Sequence, residues 1–174
     1  MKNEVINILC ERRSVKSYLP TQVKEEDLQE VLEAATFTPT GHNSQSPVMV
    51  VVQNKEDIAK MSKINGTVMG VTTDPFYGAP TVVVVFGDPE KPTWMEDACL
   101  VAGNLMVGAT AKGIGNCWIH RARQTFESAE GKALMKKWGL KENMVGVANI
   151  IMGYQDGPAK PRVARKEDYI IRVK

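Results

Sequence analysis

A chain of 174 residues, 43% apolar and 24% charged, is long enough for one hydrophobic core, cramped for two domains and too apolar to be disordered. A net charge of +2 offers little for nucleic acid to grip, so no nucleic-acid partner is expected. Cys10, Cys99 and Cys117 form no Cys-x-x-Cys pair and have no His at ligand spacing, which argues against a disulfide framework or a metal site and for a reducing compartment. With no secretory leader pattern and no apolar run near the roughly 18 residues of a membrane span, a cytoplasmic protein without a membrane partner is expected.

In chain order, Val5, Ile6 and Leu9 mark one face of a short first helix that Asn3 can cap. Leu28, Val31, Leu32 and Ala35 give a second amphipathic helix, with Glu25, Glu26 and Asp27 at its positive end and Lys24, a poor cap, before it. Residues 38–47 read as a loop, 48–53 as a strand, 57–64 as a short helix and 66–80 as irregular, with a turn at Asp74-Pro75. Thr81 to Phe86 lacks polar alternation and reads as a strand buried on both faces. Thr93 and Glu96 have the spacing of a capping box, before an apolar core helix of about 19 residues, roughly 28 Å long, that Gly113 ends. A strand at 116–119, a helix carrying Leu134, Met135 and Trp138 that stops at Gly139, and a strand at 145–154 follow. The tail is polar and basic until Tyr169 to Val173, which looks strand-like but has no obvious partner in its own domain; joining a sheet in a second copy is the economical answer. Strands and helices mix without a βαβ rhythm, which predicts one α+β domain over 1–174, a central mixed or antiparallel sheet flanked by helices.

Four clusters carry candidate chemistry, and each also reads as ordinary structure. Arg12, Arg13, Ser14 and Lys16 can grip a phosphate through guanidinium forks, a hydroxyl and an ammonium, or can be a solvated helix end. Residues 39–47 combine small side chains with Asn43 and Gln45, whose amides match the mixed edge of a heteroaromatic ring; they equally suit a plain helix–strand connection. Gly113 and Gly115 allow a tight turn or expose backbone N–H groups to a ligand. Lys160, Arg162, Arg165 and Lys166 make a basic tail that meets the phosphate of Arg12 if it folds back. His42 and His120 lack a carboxylate or Cys partner at recognisable spacing and read as loop or turn residues, and the cysteines read as buried packing. Hydrolase, P-loop and metalloprotease motifs are absent.

The order of these clusters resembles the nitroreductase family over nearly the whole chain. Residues 12–18 are similar to its Arg-Arg-Ser-x-Arg/Lys-x-Phe opening, and Ala34, Ala35, Pro39 and 43–47 to its Ala-Ala…Pro-Ser-x-x-Asn-x-Gln-Pro loop. Gly78-Ala79-Pro80, residues 113–119, and Gly153-Tyr154 with 160–162 resemble its later motifs. The resemblance implies a homodimer with two FMN sites, both at the subunit interface, and an exchanged C-terminal segment. It further implies electron transfer from NADH or NADPH to a small oxidant such as a nitroaromatic or quinone by a ping-pong mechanism, with no catalytic side chain. Arg12, Arg13, Ser14 and Lys16 are implied on the phosphate and pyrimidine side, completed by Lys160 and Arg162. Pro39, Thr40, Asn43 and Gln45 are implied to reach the ring from the other chain, with the backbone of Ile119 and His120 facing flavin N5. Phe76, Tyr77 and Trp94 are expected to shape the cleft. In contrast to many members, Ser46 separates Gln45 from Pro47, and residues 74–77 contain no Lys, which leaves Lys16 to balance charge at the flavin N1 edge. A flavin-binding sensing or storage protein with little turnover is the alternative.

Overall fold

Four antiparallel strands, ordered β1-β2-β4-β3, organise a computed structural model that describes residues 3–159 and 161–174. They are β1 (Val48–Val52), β2 (Thr81–Gly87), β3 (Gly115–Ile119) and β4 (Val145–Gly153). All seven residues of β2 are buried, because it is central and both its faces are covered. Val83, Val85, Ala148, Ile150 and Met152 point to one face, where α2 (Glu25–Thr36) and α4 (Trp94–Ala111) supply Leu28, Val31, Ala98, Ala102 and Leu105. Val82, Val84, Phe86 and Ile151 point to the other, against Met61 of α3 (Lys55–Met69), Phe126 of α5 (Ala122–Glu127) and Leu134 of α6 (Ala129–Lys137). The α+β sandwich expected from the sequence is therefore present, with an antiparallel sheet. Among the described residues, no helix is long and apolar enough to cross a membrane.

The first helix, α1 (Glu4–Glu11), starts where Asn3 Oδ1 accepts from Ile6 N at 3.0 Å, as its sequence predicts, but it has no buried residue. Lys24 makes no side-chain cap on α2. Several expectations need correction. α3 runs five residues beyond 64, because buried Gly66 lies inside it and the helix stops only at Gly70, which takes φ +69°. The capping box does not form: the Thr93 hydroxyl donates to Asp97, and α4 has no side-chain cap. α5 is unanticipated. It is six residues long and follows Arg121 at φ +75° without a side-chain cap, so no local signal announces it. Cys117 is buried, but Cys10 and Cys99 are exposed. At the tail, Glu167–Tyr169 forms a single 3-10 turn, and no strand forms from Tyr169 to Val173 among the described residues.

The segment that leaves α1 is stitched to the sheet. Val15 N donates to Asn116 O at 2.9 Å, Leu19 N to Tyr154 O at 2.9 Å and Asp156 N to Ser17 O at 3.0 Å. Asn116, 1% exposed, donates to Met106 O, Thr110 Oγ1 and Ile114 O, fixing the turn from α4 into β3. Gly113 makes that turn possible with φ +69°. Residues 12–16 are thus held beside the edge of β3 and the exit of β4, where the C-terminal tail begins.

Candidate functional site

A cleft of about 1230 Å³ opens between the end of α1, the stitched segment and the tail. Arg12, Arg13, Ser14 and Lys16 line one side, and Arg162 and Arg165 the other. Among the described lining residues, five cations (Arg12, Arg13, Lys16, Arg162, Arg165) face one carboxylate, Asp156. The two ends of the chain, far apart in sequence, therefore converge on one positive cavity suited to an anion such as a phosphate. Lys160 lies outside the described residues.

Local bonds hold this wall in place. The Tyr18 hydroxyl donates to Val15 O at 2.7 Å, and burial, with the Cys117 thiol adding to it, pushes the phenol well above its ordinary range, so it stays a neutral donor. Arg13 Nη2 donates to Pro161 O at 3.1 Å, tying wall to tail. Lys16 Nζ sits 5.4 Å from the Tyr77 ring centroid, over its face. Tyr77 lines the cleft with φ +53°, held by Asp74, whose carboxylate accepts from Phe76 N at 2.8 Å and Gly78 N at 2.7 Å. Of the three aromatic residues expected to shape the cleft, Tyr77 alone lines it. Phe76 is fully buried and anchors the loop, and Trp94 packs against Gly87.

The loop after α2 lies apart: none of Pro39, Thr40, Asn43 and Gln45 lines the cleft formed by this chain. Its backbone is strained, with φ of +52° at His42, +53° at Asn43 and +47° at Gln45. Asp97, 3% exposed on α4, braces it by accepting from Gly41 N and from the Thr93 hydroxyl, each at 3.0 Å. Gln45 N donates to Thr40 Oγ1 at 3.0 Å. Asn43 and Gln45 remain exposed at the surface of the loop.

Ile119 is buried at the end of β3, and His120 follows it, exposed; neither lines the cleft. Fully buried Asn65 donates to His120 O at 3.0 Å and to Thr125 Oγ1 at 3.2 Å. Asp97 and Asn65 escaped sequence reasoning. Asp97 sits one residue after Glu96, where the capping motif drew attention. Asn65 is a polar residue inside a helical run, and its partners lie 55 and 60 residues away.

The Nitroreductase family model matches residues 9–70 and 67–154. A putative NADH dehydrogenase/NAD(P)H nitroreductase of Archaeoglobus fulgidus is 28% identical over 157 residues, covering 87% of this chain and 85% of that protein. The crystal structure of a nitroreductase with bound FMN from Bacteroides fragilis superposes with a TM-score of 0.92 at 26% identity, covering 99% of this chain and all of that one. A nitroreductase with bound FMN from Desulfitobacterium hafniense gives 0.89 at 26% identity, with both chains fully covered. An opening basic motif, a braced Asn/Gln loop and a returning basic tail on this sheet thus coincide with a match over most of the chain, and the protein belongs to the nitroreductase family.

Proposed function

We propose that this protein is an FMN-dependent NAD(P)H oxidoreductase, a homodimer whose flavin sites each draw on both chains. The observation that carries this reading is the convergence of Arg12, Ser14 and Lys16 with Arg162 and Arg165 around one cleft. The donor set fits the cofactor: guanidinium forks and a hydroxyl suit a phosphate, and an ammonium suits the negative edge of a flavin. FMN held there would supply the redox chemistry between a reduced nicotinamide and an oxidant. Arg12, Ser14 and Arg162 hold the phosphate side, with Lys160 as the expected companion. Lys16, restrained over Tyr77, places positive charge at the pyrimidine side. The backbone at Ile119 and His120, steadied by Asn65 and outside this chain's own cleft, would border the part of the ring that reaches past that cleft toward the second copy.

The loop at 39–45 is separate from its own chain's cleft, so Pro39, Thr40, Asn43 and Gln45 serve the site of a second copy. Exposed apolar groups support that assembly: Val5, Ile6 and Leu9 on α1, and Ile170, Ile171 and Val173 in the tail, the last three at 73%, 86% and 94% exposure. The sheet edges support it too. Ser14 bridges to Asn116 at the β3 edge, whereas among the described residues β1 pairs only with β2 and leaves Val48 and Val51 exposed. Residues 169–173 of the second copy fit that open edge as an added strand.

No side chain is needed as a general acid. Small planar oxidants such as nitroaromatics or quinones, taken in turn with the nicotinamide, suit a shared cleft with one aromatic wall, and alternating use of one cleft gives ping-pong kinetics. The test is anaerobic: NADH or NADPH should bleach the purified yellow protein within seconds, and menadione should restore its colour. A yellow protein that responds to neither is a storage or sensing protein, and the oxidoreductase reading fails.

A further inference from the structure

The proposed clamp requires Arg162 and Arg165 to stay beside Arg12 and Lys16, yet every described residue from 161 to 174 is exposed. Without an anion, like charges facing each other across the cleft repel, and burial within its own chain does not hold the tail down. The pairing of 17–19 with 154–156 fixes only the root of the tail. Beyond that root, across 148 positions of sequence, Arg13 Nη2 reaches Pro161 O at 3.1 Å. A proline makes a defined anchor, because its ring fixes φ and its carbonyl is its one backbone hydrogen-bonding group. The residue after the anchor is Arg162, so the direction given to Pro161 aims the next side chain.

We propose that Arg13 is a positioning residue that latches the C-terminal tail at Pro161 and so sets Arg162 and Arg165 for the phosphate, rather than a group that grips the phosphate itself. The inference rests on the flavin reading above and divides the labour within the paired arginines: Arg12 binds and Arg13 holds the opposite wall in place. Flavin affinity and order in the tail are then linked, and each strengthens the other.

The test uses Arg13→Met, which keeps the stem without a donor, and Arg13→Lys, which keeps the cation but loses the fork. Hydrogen exchange of peptides spanning 156–166 and the FMN dissociation constant are measured for each. With Arg13→Met, exchange in the tail should quicken about tenfold while β4 is unchanged, and the FMN dissociation constant should rise about tenfold, as for loss of one charge-assisted bond. Arg13→Lys should also loosen the tail, whereas a lysine gripping phosphate directly would retain most of the affinity. In an Arg162→Ala, Arg165→Ala background the latch has nothing to position, so adding Arg13→Met should change the dissociation constant less than about twofold. Additive losses with an unaltered tail would overturn the proposal and leave the flavin reading intact. If the wild-type protein does not bind FMN, that reading fails by itself. The latch then stands on tail exchange alone: faster exchange in Arg13→Met supports it, and unchanged exchange overturns it.

Discussion

Replacing Asp97 with Ala should loosen the Asn/Gln loop and lower the stability of the whole chain, because one buried carboxylate holds the loop to α4. Asp97 accepts from Gly41 N and from the Thr93 hydroxyl, both at 3.0 Å. A Cβ on Gly41 would stand 2.1 Å from Thr93 Oγ1, so the loop backbone packs directly against the Thr93 side chain. Hydrogen bonds to a charged acceptor contribute about 1.5–3 kcal/mol each. Gly41 and Thr93 are only half-buried and recover part of this from water, so the net loss should be about 2–3 kcal/mol. For a chain of this size that corresponds to a fall in Tm of about 5–10 °C. Freed of the brace, His42, Asn43 and Gln45 would relax from positive φ, and the loop would lose its present shape. Thermal unfolding at fixed protein and FMN concentrations, with FMN affinity measured alongside, reads both effects. Asp97→Asn, which keeps an acceptor, should lose about half as much. A Tm within about 1 °C of the wild type for Asp97→Ala would refute the reasoning.

Asp57 gives a pH-dependent outcome. Its carboxyl titrates below its ordinary range, chiefly through the hydrogen bond from Lys137, whose ammonium lies 2.7 and 2.8 Å from the two oxygens, and burial opposes the shift. A folded-state value below the unfolded one means that the stabilisation is present above the unfolded value and disappears as pH falls through the folded one. Lys137 is half exposed, so Asp57→Asn should destabilise by only about 1–2 kcal/mol near pH 7. Its urea midpoint should converge with the wild type in strong acid, whereas a pH-independent gap would contradict the ion pair. Lys16→Ala should lower the flavin midpoint potential in spectroelectrochemical titration, and an unchanged potential would remove Lys16 from the pyrimidine side. Deleting residues 169–174 should shift sedimentation toward the monomer, and an intact dimer would place the subunit contact elsewhere.

The sandwich was legible in the sequence because its main elements carry their own signals. Leu28, Val31 and Ala35 share a helix face, and 81–86 is an unbroken apolar strand. The unreadable parts depend on tertiary contacts. The Thr93–Glu96 spacing predicts a cap, but the buried demand of the loop draws Thr93 to Asp97. Phe76 reads as a cleft residue, yet Asp74 turns the chain so that Phe76 points inward and Tyr77 outward. Arg12, Ser14, Lys16 and Arg162 stood out as candidates from motif order, and their meeting in one cleft needed the fold. The link from Arg13 to Pro161 was not legible, since nothing in either segment specifies a contact between a side chain and a carbonyl so far apart.

The central claim is that each flavin site takes its cationic clamp from one chain and its Asn/Gln loop from another. Hybrid dimers of an Arg12→Ala subunit with an Asn43→Ala, Gln45→Ala subunit test this directly, with FMN titrated against the hybrid and both parents. The account predicts that one of the two sites in the hybrid regains near wild-type affinity, because the defects collect in the other. Hybrids that bind no better than their parents would mean that clamp and loop serve the same chain, contradicting the shared site.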